Sequence, residues 1–222
     1  MLPKLPKPRA ILFDWDGTLA DTWRAIIAAY NLTFITMGMP TWDEKTAKQN
    51  IRKSWRDAFP EIFGARADEA SQIFRDQYAN LNQDYLDCMP GAFELLAALH
   101  GVGIYLAVVS NKRGPFLRRE VEYFNWNPYF GRVIGAGDCT CDKPCAEPII
   151  SALDGSGILA GPDVWFVGDT GLDLQTAHQT GCTPILVNGV NLKPGEKEEY
   201  PPAAEFTDLP ALHQGWISVM KS

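Results

Sequence analysis

Apolar and polar positions along this chain fall into two alternating periods. Short, nearly uninterrupted apolar runs at 10–14, 104–110, 132–135, 164–169 and 184–187 read as strands buried on both faces. Between them the apolar residues recur at helical spacing, in Phe93, Leu96 and Leu99 and again in Phe116, Leu117 and Val121, and residues 209–220 suggest one more helix. Strand alternating with helix predicts an α/β fold, a Rossmann-like parallel sheet with helices over both faces.

Residues 21–88 break that rhythm. No strand pattern occurs there. Trp23, Ile26, Ile27, Tyr30 and Phe34 follow the helical period, as do Ile73, Phe74, Tyr78, Leu81 and Tyr85. Some 65 residues far exceed the dozen or so that a crossover connection needs. The pattern therefore predicts an all-helical cap at 21–88, inserted into a catalytic core made of 1–20 and 89–222. No internal repeat is evident.

Composition narrows the class. With 222 residues, 46% hydrophobic and 21% charged, the chain has the make-up of an ordinary globular protein. Its longest apolar runs are strand-length, so no membrane span is expected, and the basic start at 1–9 lacks the apolar stretch of a secretory signal. A cytoplasmic address is the default. The net charge of −7 argues against nucleic acid as a partner, because phosphate backbones call for clustered Lys and Arg. Nothing in the pattern sets an oligomeric state. Five cysteines, Cys88, Cys139, Cys141, Cys145 and Cys182, are an odd set and predict reduced thiols rather than a disulfide framework. Cys139, Cys141 and Cys145 are close enough together to consider a soft metal. With His100 and His178 roughly forty residues away, however, spectator thiols are the better reading.

The chemistry lies where the strands end. The first run stops in Asp14-Trp15-Asp16-Gly17-Thr18, the second in Ser110-Asn111, the third is followed by Asp142-Lys143-Pro144, and the fourth ends in Gly168-Asp169-Thr170-Gly171-Leu172-Asp173. Residues two apart on a strand share a side, so Asp14 and Asp16 are expected to converge. If a helix starts near Thr170, Asp169 and Asp173 stand one turn apart and face the same way. Ligands of open α/β sheets bind beyond the carboxyl ends of the strands, which gathers all four segments at one crevice. Four carboxylates repel one another unless a hard cation joins them, and magnesium suits such a set. Lys143, Ser110, Asn111 and nearby main-chain N–H groups then offer donors to an anion. Metal, anion donors and a spare carboxylate together point to phosphoryl transfer with an Asp nucleophile. A carboxylate nearing a phosphate dianion at about 4 Å and an effective dielectric near 20 meets roughly 8 kcal/mol of repulsion, which the two cations offset.

These four motifs, in this order and covering 10–187, resemble the haloacid dehalogenase superfamily of aspartyl-phosphate hydrolases. The helical insert is similar to the superfamily's type-1 cap, and the chain looks most like its phosphoglycolate phosphatase-like members. The resemblance implies that Asp14 is the nucleophile, that Asp16 is the acid/base serving the leaving alcohol and then water, and that Lys143 screens nucleophile from phosphate. It further implies that Ser110 and Asn111, together with Gly17 and Thr18, bind the substrate. Mg2+ would be held by Asp14, Asp169 and the main-chain carbonyl of Asp16, with Asp173 either at the metal through water or bonded to Lys143. Dehalogenases lack the second acid of the first motif, so Asp16 indicates a phosphatase acting on a small phosphorylated metabolite. A phosphomutase uses the same residues, and a non-catalytic phospho-aspartate switch shares part of the chemistry but lacks the lid and the second acid.

Departures from the superfamily pattern are Trp15, where a smaller or aliphatic residue is usual, and Ala146, where a proline is usual. Cys145, two residues after Lys143, would expose that loop to oxidation, although a small buried thiol is its ordinary role. In the insert, residues 45–54 carry four cations, of which Arg52 and Lys53 could meet a substrate carboxylate; solvated surface charges are the plainer reading. Asp21 and Thr22 could shape a pocket mouth or simply cap the first helix of the insert. The three histidines match no motif position.

Overall fold

The computed structural model describes residues 5–51, 55–81, 85–189 and 192–221, with only the backbone at 55 and 56. In chain order the elements are β1 (Ala10–Phe13), β2 (Ala20–Asp21), α1 (Trp23–Thr36), α2 (Glu44–Asn50), α3 (Trp55–Phe63), α4 (Ala67–Asn80), β3 (Asp87–Cys88), α5 (Ala92–Gly101), β4 (Tyr105–Arg113), α6 (Gly114–Tyr123), β5 (Arg132–Ala136), α7 (Glu147–Leu153), β6 (Val164–Gly168), α8 (Gly171–Thr180), β7 (Thr183–Val187), α9 (Glu196–Glu199), β8 (Ala204–Phe206) and α10 (Leu209–Lys221).

The main sheet has six strands in the order β5-β4-β1-β6-β7-β8, every neighbouring pair parallel. Each face of β1 feeds a different core, as the two-residue side-chain period requires. Ile11 and Phe13 join Leu95, Leu96, Leu99, Leu117 and Trp216 on one side. Ala10 and Leu12 join Ile149, Ala152, Phe166 and Ala177 on the other. A strand with both faces buried has no polar face to alternate with, which explains its unbroken apolar sequence. The α/β architecture follows from this arrangement. The strand bounds differ from the pattern by one to three residues, and β8, too short and too polar at Glu205 to register as a run, was not expected.

Two compact units make up the chain: Met1–Ala20 with Cys88–Ser222, and Asp21–Asp87. Inside the second, Tyr30, Phe34, Phe59, Phe63 and Phe74 pack ring to ring, with centroids 4.9 to 6.0 Å apart. Asn31 ties the following loop down by accepting from the Trp42 N–H and donating to its carbonyl, both at 2.9 Å. The buried face of α1 is Ala25, Ala29, Tyr30, Thr33 and Phe34; Ile26 and Ile27 are half-buried beside it. In the first unit Phe93 corrects its expected inward place. It is 52% exposed, because Leu95, Leu96 and Leu99 already fill the face of α5 that meets the sheet.

At the sheet edge, β8 is locked by α10. Gly215 faces Phe206 so closely that a Cβ there would lie 2.4 Å from Cε1 of the ring. Gly to Ala in a helix interior ordinarily stabilises by about 1 kcal/mol. Gly215→Ala is expected to do the reverse, costing about 1–3 kcal/mol from overpacking and lowering Tm by roughly 2–4 °C per kcal/mol. A melting curve at or above wild type would show that this contact is loose.

Candidate active site

The sheet turns outward in opposite directions on the two sides of β1. From β1 it grows through β4 and β5 to one edge, and from β6 through β7 and β8 to the other. Loops leaving the carboxyl ends of β1 and β6 therefore part, and a crevice forms between them. Asp14 is the first residue beyond β1, and Asp169 the first beyond β6. The Asp14 N–H donates to the Val167 carbonyl at 2.9 Å, carrying the ladder one step past the strand.

The chain then closes a tight turn in which the Trp15 carbonyl accepts from Thr18, Leu19 and Ala20. Gly17 has φ +83°, and a Cβ there would stand 2.6 Å from Asp169 Oδ2, so backbone conformation and close approach both call for glycine. Its N–H is taken by the Ala20 carbonyl at 2.8 Å. Thr18 Oγ1 donates to Asp169 Oδ1 at 3.3 Å. Both residues, expected to bind substrate, shape the floor beneath Asp169.

Lys143 is the centre of the arrangement. Its Nζ lies 2.8 Å from Asp14 Oδ1 and 2.7 Å from Asp173 Oδ1, with all three side chains buried. Its main chain is gripped by Asn111, whose Nδ2 donates to the Lys143 carbonyl at 3.0 Å and whose Oδ1 accepts the Lys143 N–H at 2.9 Å. Asn111 thus ties the lysine loop to the end of β4, and its second Nδ2 hydrogen lies outside these two bonds. Ser110 Oγ accepts the Lys112 N–H at 3.1 Å, an acceptor contact that leaves its hydroxyl hydrogen outside that bond. Asp173 lies in the first turn of α8, and its Oδ2 accepts from the Thr170 N–H at 3.1 Å and the Thr170 hydroxyl at 2.6 Å. Asp169 precedes that helix. Strand end and helix turn, rather than helical period, bring the two acids together.

Carboxylate oxygens of Asp14, Asp169 and Asp173 lie within 4.8 Å of one another. Three carboxylates face one ammonium, an excess of two negative charges when all are ionised, which is the charge of a divalent cation. All-oxygen donors suit a hard ion. Burial pushes the Asp14 carboxyl up to about 7, against the pull of Lys143, with Asp173 and Asp16 adding to the rise. For Lys143, burial alone would lower the pKa, but the charges of Asp14 and Asp173 outweigh it and hold the ammonium protonated. One cation shared by two acids is firmly charged while leaving Asp14 undercompensated.

Asp16 does not join that cluster. The strand has already ended at Phe13, so the period-two argument fails there, and its carboxylate turns to Lys112 Nζ at 2.6 Å. Any share of Asp16 in holding a metal would run through its main-chain carbonyl, as the resemblance implies. Arg52 and Lys53 lie outside the described residues. In the same stretch, Lys48 pairs with Glu44 at 2.7 Å on the surface of α2. Asp21 Oδ1 accepts from the Trp23 N–H at 3.4 Å, at the start of α1.

The cysteines need a correction. Cys141 and Cys145, expected as reduced thiols, form a disulfide around the Asp142-Lys143-Pro144 turn, which brings their Cα atoms to 6.1 Å, within the span of such a bond. Paired, they cannot be thiolate ligands of a soft metal. Cys139 donates to Ser151 Oγ, while Cys88 and Cys182 are free. His100 meets the Tyr129 ring, His178 bonds to the Pro201 carbonyl, and His213 packs on Trp216.

Residues 11–187 match the family described as haloacid dehalogenase-like hydrolase. A phosphoglycolate phosphatase of Pectobacterium atrosepticum is 29% identical over 192 residues, covering 83% of this chain and 82% of the relative. One of Salmonella typhimurium is 28% identical, covering 86% and 85%. Among solved structures, a haloacid dehalogenase superfamily hydrolase from Ehrlichia chaffeensis is 28% identical with a TM-score of 0.67, covering 97% of this chain and 99% of its own. A haloacid dehalogenase-like family hydrolase from Streptococcus pneumoniae, 22% identical with a TM-score of 0.81, shares the fold over 93% and 97%. Among the described residues, no helix is long and apolar enough to cross a membrane.

Since the folded-state pKa of Asp14 is raised, ionising this carboxyl costs the metal-free protein stability as pH rises from about 4 towards 7. Asp14→Asn removes that charge at nearly constant volume. At neutral pH without metal, the variant is expected to melt a few degrees above wild type, at roughly 2–4 °C per kcal/mol. Added divalent cation is expected to raise its Tm less than that of wild type. A variant that melts lower in the absence of metal would show that the pairing with Lys143, not burial, dominates at Asp14.

Proposed function

The chain belongs to the haloacid dehalogenase-like hydrolase family, and from that membership we propose that it hydrolyses a small phosphorylated metabolite, a phospho-acid such as phosphoglycolate, through an aspartyl-phosphate on Asp14. Its class is phosphoric monoester hydrolase, in keeping with phosphoglycolate phosphatase relatives that match over most of both chains. The observation that carries the reading is the Lys143 ammonium seated between Asp14 and Asp173 at 2.8 and 2.7 Å beside Asp169.

In this mechanism the Asp14 carboxylate attacks phosphorus, the ester P–O bond breaks, and Asp16 gives its proton to the leaving alcohol oxygen. Asp16 then takes a proton from water as the water oxygen attacks phosphorus, the bond to Asp14 breaks, and phosphate leaves with Asp14 restored. Lys143 holds Asp14 in line and lowers the repulsion that an incoming phosphate dianion meets, roughly 8 kcal/mol at about 4 Å. Asn111 keeps the lysine loop in place, and Thr18 and Gly17 keep Asp169 in place. Asp14, Asp169 and Asp173 would hold Mg2+, which when bound would neutralise charge on the transferring phosphoryl oxygens. A cytoplasmic setting fits such a substrate, whose charge keeps it on one side of a bilayer; the Cys141–Cys145 pair is the feature that pulls against a reducing compartment.

The test is phosphate release from a panel of phospho-acids and phospho-sugars, with magnesium and then with chelator. Expected are magnesium-dependent release concentrated on one or two phospho-acids, free alcohol and phosphate in equal amounts, and loss of turnover to background in Asp14→Asn with its circular dichroism unchanged. Retained activity in that variant would overturn the mechanism. Isomerised phosphate ester in place of free phosphate would make the chain a mutase.

A further inference from the structure

Asp16 has a support of its own, separate from the Lys143 cluster. Lys112 Nζ lies 2.6 Å from Asp16 Oδ1 and 3.2 Å from Glu120 Oε2. The Trp15 indole N–H donates to the same Glu120 oxygen at 2.7 Å. Lys112 and Glu120 side chains are 5% and 3% exposed, and Asp16 is 19% exposed. Trp15 is fully buried, with Phe124 and Trp126 rings at 6.0 and 5.8 Å.

Glu120 is out of place on packing grounds alone. It lies on the inner face of α6 between the buried Leu117 and Val121, where an apolar side chain would cost nothing in desolvation. A buried carboxylate costs several kcal/mol unless paired, and this one is paired with an ammonium that also reaches the acid beside the nucleophile. Lys112 falls on the same side of β4 as Leu106 and Val108, which pack with Trp15, Leu117 and Val121, so the two-residue period turns it inward. Trp15 supplies the N–H that holds the far end. The line runs indole, carboxylate, ammonium, Asp16.

We propose that Lys112, Glu120 and Trp15 are positioning residues for the acid/base Asp16. They hold its carboxyl group, in a loop with no strand beneath it, where the leaving oxygen is protonated. The inference rests on the phosphatase reading above. It makes protonation of the leaving group, rather than substrate binding or attack by Asp14, the step that this network serves.

The experiment compares two esters on the magnesium-loaded enzyme. One is phosphoglycolate, an alkyl phosphate whose leaving oxygen must be protonated; the other is p-nitrophenyl phosphate, whose leaving phenolate needs no proton. Lys112→Met is expected to lower kcat/KM, which reports transfer to Asp14 and not the hydrolysis common to both esters, roughly 10- to 100-fold on the alkyl ester, with KM within about threefold, and at most about fivefold on the aryl ester. Lys112→Arg is expected to restore part of the loss, and Trp15→Phe to show the same split more weakly. Because Lys112→Met strands a buried carboxylate, the double variant Lys112→Met/Glu120→Leu, which removes both charges, keeps the test valid if the single variant does not fold. Equal losses of kcat/KM on the two esters, or a loss on the alkyl ester carried by KM, would overturn the proposal while leaving the phosphatase reading intact. Wild-type enzyme that releases phosphate from neither ester would overturn that reading, and the proposal with it.

Discussion

One ammonium between two buried carboxylates organises the centre of this molecule. A lysine and two aspartates cannot be taken out of water singly, and even together they persist only with fixed geometry and satisfied hydrogen bonds. That requirement runs outward through the fold. Asp14 must leave β1 at the point where β4 and β6 flank it, Asp173 must fall in the first turn of α8, and the loop carrying Lys143 must be tethered. Asn111 provides the tether with both ends of its amide. Gly17 is glycine because Asp169 occupies the space that a side chain would need. Asn111, Gly17 and Thr18, which read as substrate contacts, are also part of the frame that lets three acids stand together.

Much of this was legible in the sequence, for a physical reason. A strand buried on both faces has no alternation to hide its ends, so the point where Phe13 gives way to Asp14, or Gly168 to Asp169, is visible as an abrupt change from apolar to acidic. What a residue type does not record is its partner. Asn111, expected to face an anion, also clamps the Lys143 backbone, a second task that the letter alone does not record. Phe93 looked inward because it shares a helical period with Leu96 and Leu99, yet Leu95 takes its place against the sheet. β8 eluded the pattern because its middle residue, Glu205, is exposed and pairs with Lys197. The disulfide depended on a turn geometry that spacing alone does not fix.

The helical unit shows the same distinction on a different scale. Its periodicity was readable over α1 and α4, but the pattern could not say that, among the described residues, the large side chains of its core would be mostly aromatic. Tyr30 alone meets the rings of Phe34, Trp42, Phe59 and Phe74. A unit of fewer than about 70 residues buries little surface, and rings, each burying roughly 150–250 Å², are an effective way to fill a small core. The catalytic unit, with a larger aliphatic core over a sheet, can carry buried charge at its strand ends without that help.

The two acids of the first motif are each held by a lysine that also answers to a second carboxylate: Asp14 by Lys143 with Asp173, and Asp16 by Lys112 with Glu120. Each trio carries one negative charge more than it can neutralise when fully ionised, and apolar replacements of the same shape would give a more stable fold. A protein selected for stability alone would not keep both at the end of one strand. The surplus has a use only where positive charge arrives or a proton must move. In the proposed mechanism the charge arriving at Asp14 is that of a divalent cation, whereas Asp16, outside the carboxylate cluster, gives a proton to the leaving oxygen and takes one from water. Separate lysines give each of the two acids its own counter-charge. The Trp15-to-Glu120 bond, deep in the apolar layer, then anchors the second counter-charge to the core rather than to solvent, where it would be screened.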